Sequence, residues 1–455
     1  MKDPIQALIY KLPKPVRPVI VIFGGMLIQL TIGSVYTFGN IVPYIVSYMR
    51  ENGSPNLDVK SMLFIVSFEG GFPGSYLIGG LLERKLGPRN AALIGSLLVS
   101  SGMFLSYFAV KNSFTAMLFT MGVMFGLGTG CAYNAALVCA MKWLPHNVGL
   151  ASGLIVAGYG CGAFVFSPIE TIFVNPWNYD PGDDEYFHQP ELLERVPYLF
   201  VVLGAIFLTL ELLGCIVLCP PKEDDQDLLG GAEEEILDDR PSVGPKEMLK
   251  SSTCYWLFFS YLLNTPVTTV AAYYKAFGET FISDDEFLAW VASASSIFNA
   301  GGRIVWGMIG DKTSYQTSMA MASAFMCALM LTFVSTEKGG KIQFIVWACL
   351  ILGCYSSNFS LFPLATAKCF GPKYVGINYG IIILSQFVAG MTMSTIADQL
   401  LDRIGFAGLW LICAGTTFTT FLLTITIQKT KYGRGIEEVV PKHTESVSLN
   451  SFTKF

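Results

Sequence analysis

Apolar residues run along this chain in blocks near 20 residues or longer, divided by short polar breaks. A block of that length crosses roughly 30 Å of hydrocarbon as a helix. Twelve spans are predicted, at 18–48, 61–82, 91–110, 115–141, 149–173 and 197–218, then at 255–275, 287–310, 316–335, 342–367, 375–397 and 405–427. Glycine and proline recur inside them, which bilayer helices tolerate better than soluble ones. Two polar stretches interrupt the pattern. Residues 174–196 read as an outer loop; residues 220–252 carry EDDQD and EEE and divide the spans six and six.

The expected organisation is an N-terminal tail (1–17), a six-helix half (18–218), an acidic linker (219–254), a second six-helix half (255–427) and a C-terminal tail (428–455). The linker reads as a solvated tether; its Asp224-Asp225-Gln226-Asp227-Leu228-Leu229 stretch also fits an acidic dileucine sorting signal. Lys2, Lys11, Lys14 and Arg17 precede the first span. Placing the N-terminus inside puts the basic excess of the tails and linker on the inner side, and an even span count puts both termini in the cytoplasm.

Composition supports this reading. Hydrophobic residues make up 52% of the 455 and charged residues 14%, too few to cover a soluble surface of that size, where about 25% is usual. A net charge of −5 without a basic stripe excludes a nucleic-acid binder. The eleven cysteines lie almost all in apolar runs with no CxxC pair, which argues against a secreted disulfide scaffold. The fold class is an all-α membrane protein of 12 transmembrane helices. The halves also repeat. Ala140, Pro145, Val148, Gly149 and Gly153 recur as Ala367, Pro372, Val375, Gly376 and Gly380, and Gly80 and Lys85 as Gly307 and Lys312, all at one offset of 227. Parallel repeats of this kind predict two pseudo-symmetric halves with a solute site between them near the midplane.

The loop after span 8 reads Gly302-Arg303-Ile304-Val305-Trp306-Gly307-Met308-Ile309-Gly310-Asp311-Lys312, and resembles the G-x-x-x-D-[RK] loop motif of the major facilitator superfamily. The first-half copy, Gly80 through Gly87 and Arg89, departs from it: Arg84 stands in the aspartate position and Glu83 one residue early. Tyr133-Asn134, Lys142-Trp143-Leu144-Pro145, the run Gly149 to Ala163, Tyr274-Lys275-Ala276-Phe277-Gly278, Asn299-Ala300-Gly301-Gly302-Arg303 and Asn378-Tyr379-Gly380 resemble the oxalate/formate antiporter family, which is related to monocarboxylate transporters. The acidic first-span signature of the monocarboxylate transporters is absent.

The resemblance implies an inner gating motif made of Gly307, Asp311, Lys312, Gly80, Arg84, Gly87 and Arg89, and a substrate-carboxylate ligand in Arg303. Independently, an ionised group at that depth costs at least about 2.5–3.5 kcal/mol unless it faces water or a partner, and a guanidinium fork matches a carboxylate. The alternative is an Arg303 that pairs permanently with a loop carboxylate and only holds the gate. Asn299 lies one turn away, where monocarboxylate transporters carry a titrating aspartate; Asn cannot titrate. Gln386 and Asn40 align with lysines of the related carriers, so the second cation a dianion would want is missing. Tyr36, Tyr133 and Tyr355 sit in spans expected to line the cavity and can donate to a carboxylate. Glu69, inside span 2, is the candidate for proton coupling. Glu211 reads as a snorkelling or paired carboxylate. The histidines, His146, His188 and His443, all fall in loops, away from any intramembrane metal centre or proton relay.

These residues predict a secondary carrier of small organic anions, monocarboxylates such as pyruvate, lactate or formate, working by alternating access with proton symport or anion exchange. No cofactor, metal, nucleotide motif or enzyme activity is expected; the partners are the anion, the lipid bilayer and, for symport, protons. A monomer in the plasma membrane is expected in preference to an endomembrane or organelle. The rivals are an oxalate-type dicarboxylate exchanger, a carrier of a non-anionic small molecule, and a non-transporting receptor.

Overall fold

The computed structural model describes residues 4–57, 62, 65–66, 68–182, 186–222 and 242–436. The Asp224–Leu229 stretch, His443 and the tail beyond residue 436 lie outside the described residues. Among the described residues all regular structure is helical, and eight helical stretches are long and apolar enough to cross a membrane. One of these, Tyr315–Phe370, contains two crossings that fold back at Gly340, where φ is 70°. A side chain is strained in that left-handed region, and glycine is not. Gly405, with φ 63°, separates the last two crossings in the same way. Ser75–Leu86, the pair Ser252–Asn264 and Thr268–Glu279, and Asp285–Lys312 supply the second, seventh and eighth crossings.

Several spans are interrupted where the sequence predicts continuous helices. Span 1 runs Val16–Ile32, tightens into a 3₁₀ turn at Gly33–Thr37, and resumes at Phe38–Glu51. Span 7 does the same at Thr265–Val267, where Pro266 has no N–H to donate. Each half therefore opens with a broken span. Span 5 (Val148–Gly160, Gly162–Val174), span 10 at Ser356 and span 11 at Ile383 also break. Apolar periodicity does not register such kinks, because the residues on either side are equally hydrophobic.

Glycine sets how closely the helices approach. A Cβ on Gly33 would lie 2.1 Å from the Tyr159 carbonyl, so spans 1 and 5 cross backbone to backbone. Gly126, Gly128 and Gly130 of span 4 face Phe68, Gly95 and Ser75, the helix packing expected of them.

The halves meet through two crossings related by the repeat. Span 5 meets span 8 at Gly149 and Gly307, and span 2 meets span 11 at Gly80 and Gly376; a Cβ on Gly307 would fall 2.1 Å from the Gly149 carbonyl, and one on Gly80 2.6 Å from the Gly376 carbonyl. The offset of 227 that carries Gly80 to Gly307 also carries Gly149 to Gly376, so each contact is the image of the other. These contacts lie beside the loops that follow spans 2, 4, 8 and 10, and they close the interface on that side.

Candidate functional site

Beyond this seal lies a cavity of about 290 Å³ between spans 1, 2, 7 and 11. Three features build its walls. The 3₁₀ turn of span 1 presents Val35 and Tyr36; the non-helical turn Gly70-Gly71 of span 2, where Gly71 has φ 141°, opens a gap in its helix; Thr265, Thr268 and Thr269 face in from the break in span 7. Tyr76, Tyr159, Tyr273, Tyr355 and Gln386 complete the polar lining. Most of the remaining wall is apolar, so the hydroxyls and the amide fix what binds there.

Arg303 lies one layer beneath this floor. Its side chain is fully buried and does not reach the cavity wall. Nε donates to Asn299 Oδ1 at 3.1 Å, Nη1 to the Val156 carbonyl at 2.7 Å, and Nη2 to the Tyr36 hydroxyl at 3.1 Å. Its guanidinium carbon lies 4.1 Å from the Phe359 ring centre and 5.5 Å from that of Tyr159. Among the described residues no carboxylate forms an ion pair with it. The permanent acidic partner weighed as an alternative is therefore not seen. The charge rests on neutral acceptors and two aromatic faces, from both halves of the chain. Tyr36 carries that charge to the cavity: its oxygen accepts from Arg303, and its own hydrogen is given to no acceptor among the described residues.

The other sequence-derived candidates divide around this point. Asn299 anchors the guanidinium and donates to the Leu352 carbonyl at 3.1 Å. The buried Tyr355 hydroxyl borders the cavity with no hydrogen-bond partner among the described residues. Gln386 accepts from the Tyr261 hydroxyl at 3.0 Å through Oε1, which leaves its amide N–H groups for the cavity. Tyr133 stands behind the wall, edge-on to Tyr76 and Tyr159 at 5.2 and 6.0 Å. Asn40 turns away from the cavity and into its own half, donating to Glu170 Oε2 at 3.1 Å and to Ser167 and Thr171. Glu69 is buried, with Oε2 unpartnered among the described residues. Glu211 does not snorkel. It is buried and accepts from Thr31 and Ser100 at 2.9 and 2.5 Å.

The loop residues of the seal show why its two halves differ. Asp311 accepts from the backbone N–H of Gly149 at 2.8 Å and Leu150 at 2.7 Å, at the N-terminus of Val148–Gly160. Free N–H groups and the helix dipole favour an anion there. In the repeat, Arg84 replaces that carboxylate opposite the N-terminus of Val375–Ile382, where a cation gains nothing. It stacks instead on Tyr374, 4.0 Å from the ring centre, and its hydrogen bond and charge lower the Tyr374 pKa. Asn134 supplies the polar link across the halves, donating to the Gly376 carbonyl at 2.7 Å. Glu83 pairs with Lys142 within the first half at 2.5 Å. Gly87 turns the chain with φ 81°, Arg89 donates to the Leu218 carbonyl at 3.0 Å, and Lys312 ends the eighth helix.

Sequence reasoning missed Tyr76, Tyr159 and Glu170. Tyr159 lies within a run already marked as distinctive. Glu170 could have been found by the rule that selected Glu69, since it is a carboxylate inside an apolar span.

A family model described as Major Facilitator Superfamily matches residues 27–394. Apicoplast pyruvate carrier 1 of Toxoplasma gondii is 30% identical, covering 86% of this chain and 85% of its own length. The oxalate:formate antiporter of Oxalobacter formigenes is 24% identical over 83% of this chain and 84% of its own, and Monocarboxylate transporter 13 of Rattus norvegicus is 24% identical over 82% and 78%. The fold is similar to the proton:xylose symporter XylE, with TM-score 0.73 at 13% identity over 94% of this chain and 99% of the other. These relatives are transporters and not enzymes. Twelve crossings in two pseudo-symmetric halves, a cavity between them and the match over most of its length show that this chain belongs to the major facilitator superfamily.

Proposed function

We propose that the chain carries small monocarboxylates of the pyruvate, lactate and formate class across a membrane by alternating access. The observation that carries this reading is Arg303: a fully buried guanidinium, held by neutral acceptors, behind the floor of the cavity between the halves. A cargo carboxylate at the floor supplies the missing negative charge. It receives the Tyr36 hydrogen directly, with Tyr355 and the Gln386 amide as further donors. The Tyr36 oxygen leans on Arg303, which makes its O–H a stronger donor. A cavity of about 290 Å³ suits an acid of a few heavy atoms. One buried cation matches one carboxylate; oxalate would bring a second charge with no partner to offset its desolvation.

The printed names of the relatives, a pyruvate carrier, an oxalate:formate antiporter and a monocarboxylate transporter, support the same class. Rocking of the halves about the seal would expose the floor to each side in turn. For the membrane, the plasma membrane remains the expectation, and the apicoplast carrier's name offers an organelle as the rival; imaging of a tagged chain decides between them. The test of function is uptake of labelled pyruvate, lactate, formate and oxalate, with xylose as a neutral control, into liposomes holding the purified protein. Saturable uptake of the monocarboxylates ahead of oxalate and xylose is expected. No saturable uptake of any organic anion would overturn the reading.

A further inference from the structure

Glu170 sits in span 5 with almost no exposure, and its carboxyl contacts the 3₁₀ turn that carries Tyr36. The Thr37 hydroxyl is 2.5 Å from Glu170 Oε1 and 2.8 Å from the Ser34 carbonyl, and it is placed to donate to either. A hydroxyl has one hydrogen, so the two contacts define two states. With Glu170 ionised, Thr37 donates to Oε1 and the Ser34 carbonyl loses that bond. With Glu170 protonated, its O–H donates to Thr37 Oγ1, and Thr37 donates to Ser34. Protonation therefore adds one hydrogen bond inside Gly33–Thr37, the segment that holds Tyr36 between Arg303 and the cavity.

Glu69 is a second buried carboxylate of the same half. Its Oε2 is unpartnered among the described residues, and it directly precedes Gly70 and Gly71 of the cavity wall. The elements packed against Gly162–Val174 also bring Tyr36 and Tyr44 from span 1, Arg195 and Glu211 from span 6 and Arg303 from span 8. Arg195 donates to the Phe173 carbonyl at 3.0 Å. Glu211 has a similar hydroxyl arrangement, but its partners Thr31 and Ser100 lie on spans 1 and 3, outside the Gly33–Thr37 turn that carries Tyr36.

We propose that Glu170 is the proton site of this carrier, joined to the anion site through Gly33–Thr37, so that transport is proton–anion symport. The inference rests on the carboxylate reading above and chooses between its two coupling modes. A hydronium ion gives up its proton to Glu170 Oε1, where an O–H bond forms, leaving water. The proton returns to water once the cavity faces the opposite side. Loss of the carboxylate charge behind the turn that carries Tyr36 lets the anion enter, so proton and anion bind together.

The test compares wild type, Glu170→Gln and Thr37→Val in liposomes by two assays. One is exchange of labelled against unlabelled pyruvate without a pH gradient; the other is net accumulation driven by an imposed pH gradient. Both variants should keep exchange and lose gradient-driven accumulation by about tenfold or more, the size of an ordinary coupling between sites. Wild-type accumulation in Glu170→Gln and Thr37→Val overturns the proposal, whatever the exchange result. Failure of the wild type to exchange any carboxylate refutes the cargo reading alone. The proton site is then judged by infrared difference spectra of the purified protein across a pH titration. A carboxylic-acid C=O band absent from Glu170→Gln and shifted in Thr37→Val supports it; a band unchanged in either variant overturns it.

Discussion

Tyr36 is where the buried charge meets the cavity, and a single atom decides its effect. Tyr36→Phe keeps the ring against Tyr159, 5.2 Å between centres, and removes the oxygen that accepts from Arg303. A hydrogen bond to a charged group contributes about 1.5–3 kcal/mol, so KM for a monocarboxylate should rise by roughly tenfold or more while the protein stays folded. Uptake kinetics in liposomes check this; an unchanged KM removes Tyr36 from the site. Sequence reasoning reached Arg303, Tyr36 and Tyr355 because charged and hydroxyl groups stand out within apolar spans, and Gln386 because it aligns with a lysine of a related carrier. It could not foresee that Arg303 lies a layer below the cavity, since depth along a helix does not show what covers a side chain. Nor could it pair Asn40 with Glu170, a contact between residues far apart in the chain that only the close crossing of spans 1 and 5 brings together.

At the level of single elements, the seal depends on bare backbone. Gly307→Ala puts a methyl 2.1 Å from the Gly149 carbonyl, and backbone there has no rotamer by which to yield. Spans 5 and 8 must separate, which disfavours the sealed state. Asp311→Asn removes the charge from the N-terminus of Val148–Gly160 and weakens the same contact by roughly 1–2 kcal/mol, about a tenfold shift in population. Cysteine-labelling rates at a cavity residue, measured from the seal side, should rise in both variants. Equal rates in the wild type and the variants would show that the seal rests elsewhere. The twelve spans were legible from apolar run length, and the two halves from the repeated glycines. The 3₁₀ turns of spans 1 and 7 were not, although they place much of the cavity's polar lining. Such breaks answer to packing between helices, as the Gly33 crossing shows, and leave little trace in local hydrophobicity.

For the whole molecule, transport requires the halves to part at one seal and close at another. Arg84 and Tyr374 touch across the halves at 4.0 Å, so cysteines at these two positions can be bridged by a short bifunctional thiol reagent. Cross-linking should stop uptake, and cleaving the link should restore it. Full uptake by the cross-linked protein would mean that these two loops need not separate. The asymmetry of the seal gives the two sides different strengths: a carboxylate on a helix N-terminus at one crossing, an arginine on a tyrosine ring at the other. The two images of the repeat are therefore not required to open together.

The measurement that bears most directly on the account is pyruvate transport by Arg303→Lys beside the wild type. Lysine keeps the charge but loses the planar fork that reaches Asn299, Val156 and Tyr36 at once. The account predicts a fall in kcat/KM of about 100-fold, with folding intact, since a charged network of three bonds is broken. Transport by Arg303→Lys within about twofold of the wild type, less than one ordinary hydrogen bond contributes, would show that the guanidinium does not serve the cargo.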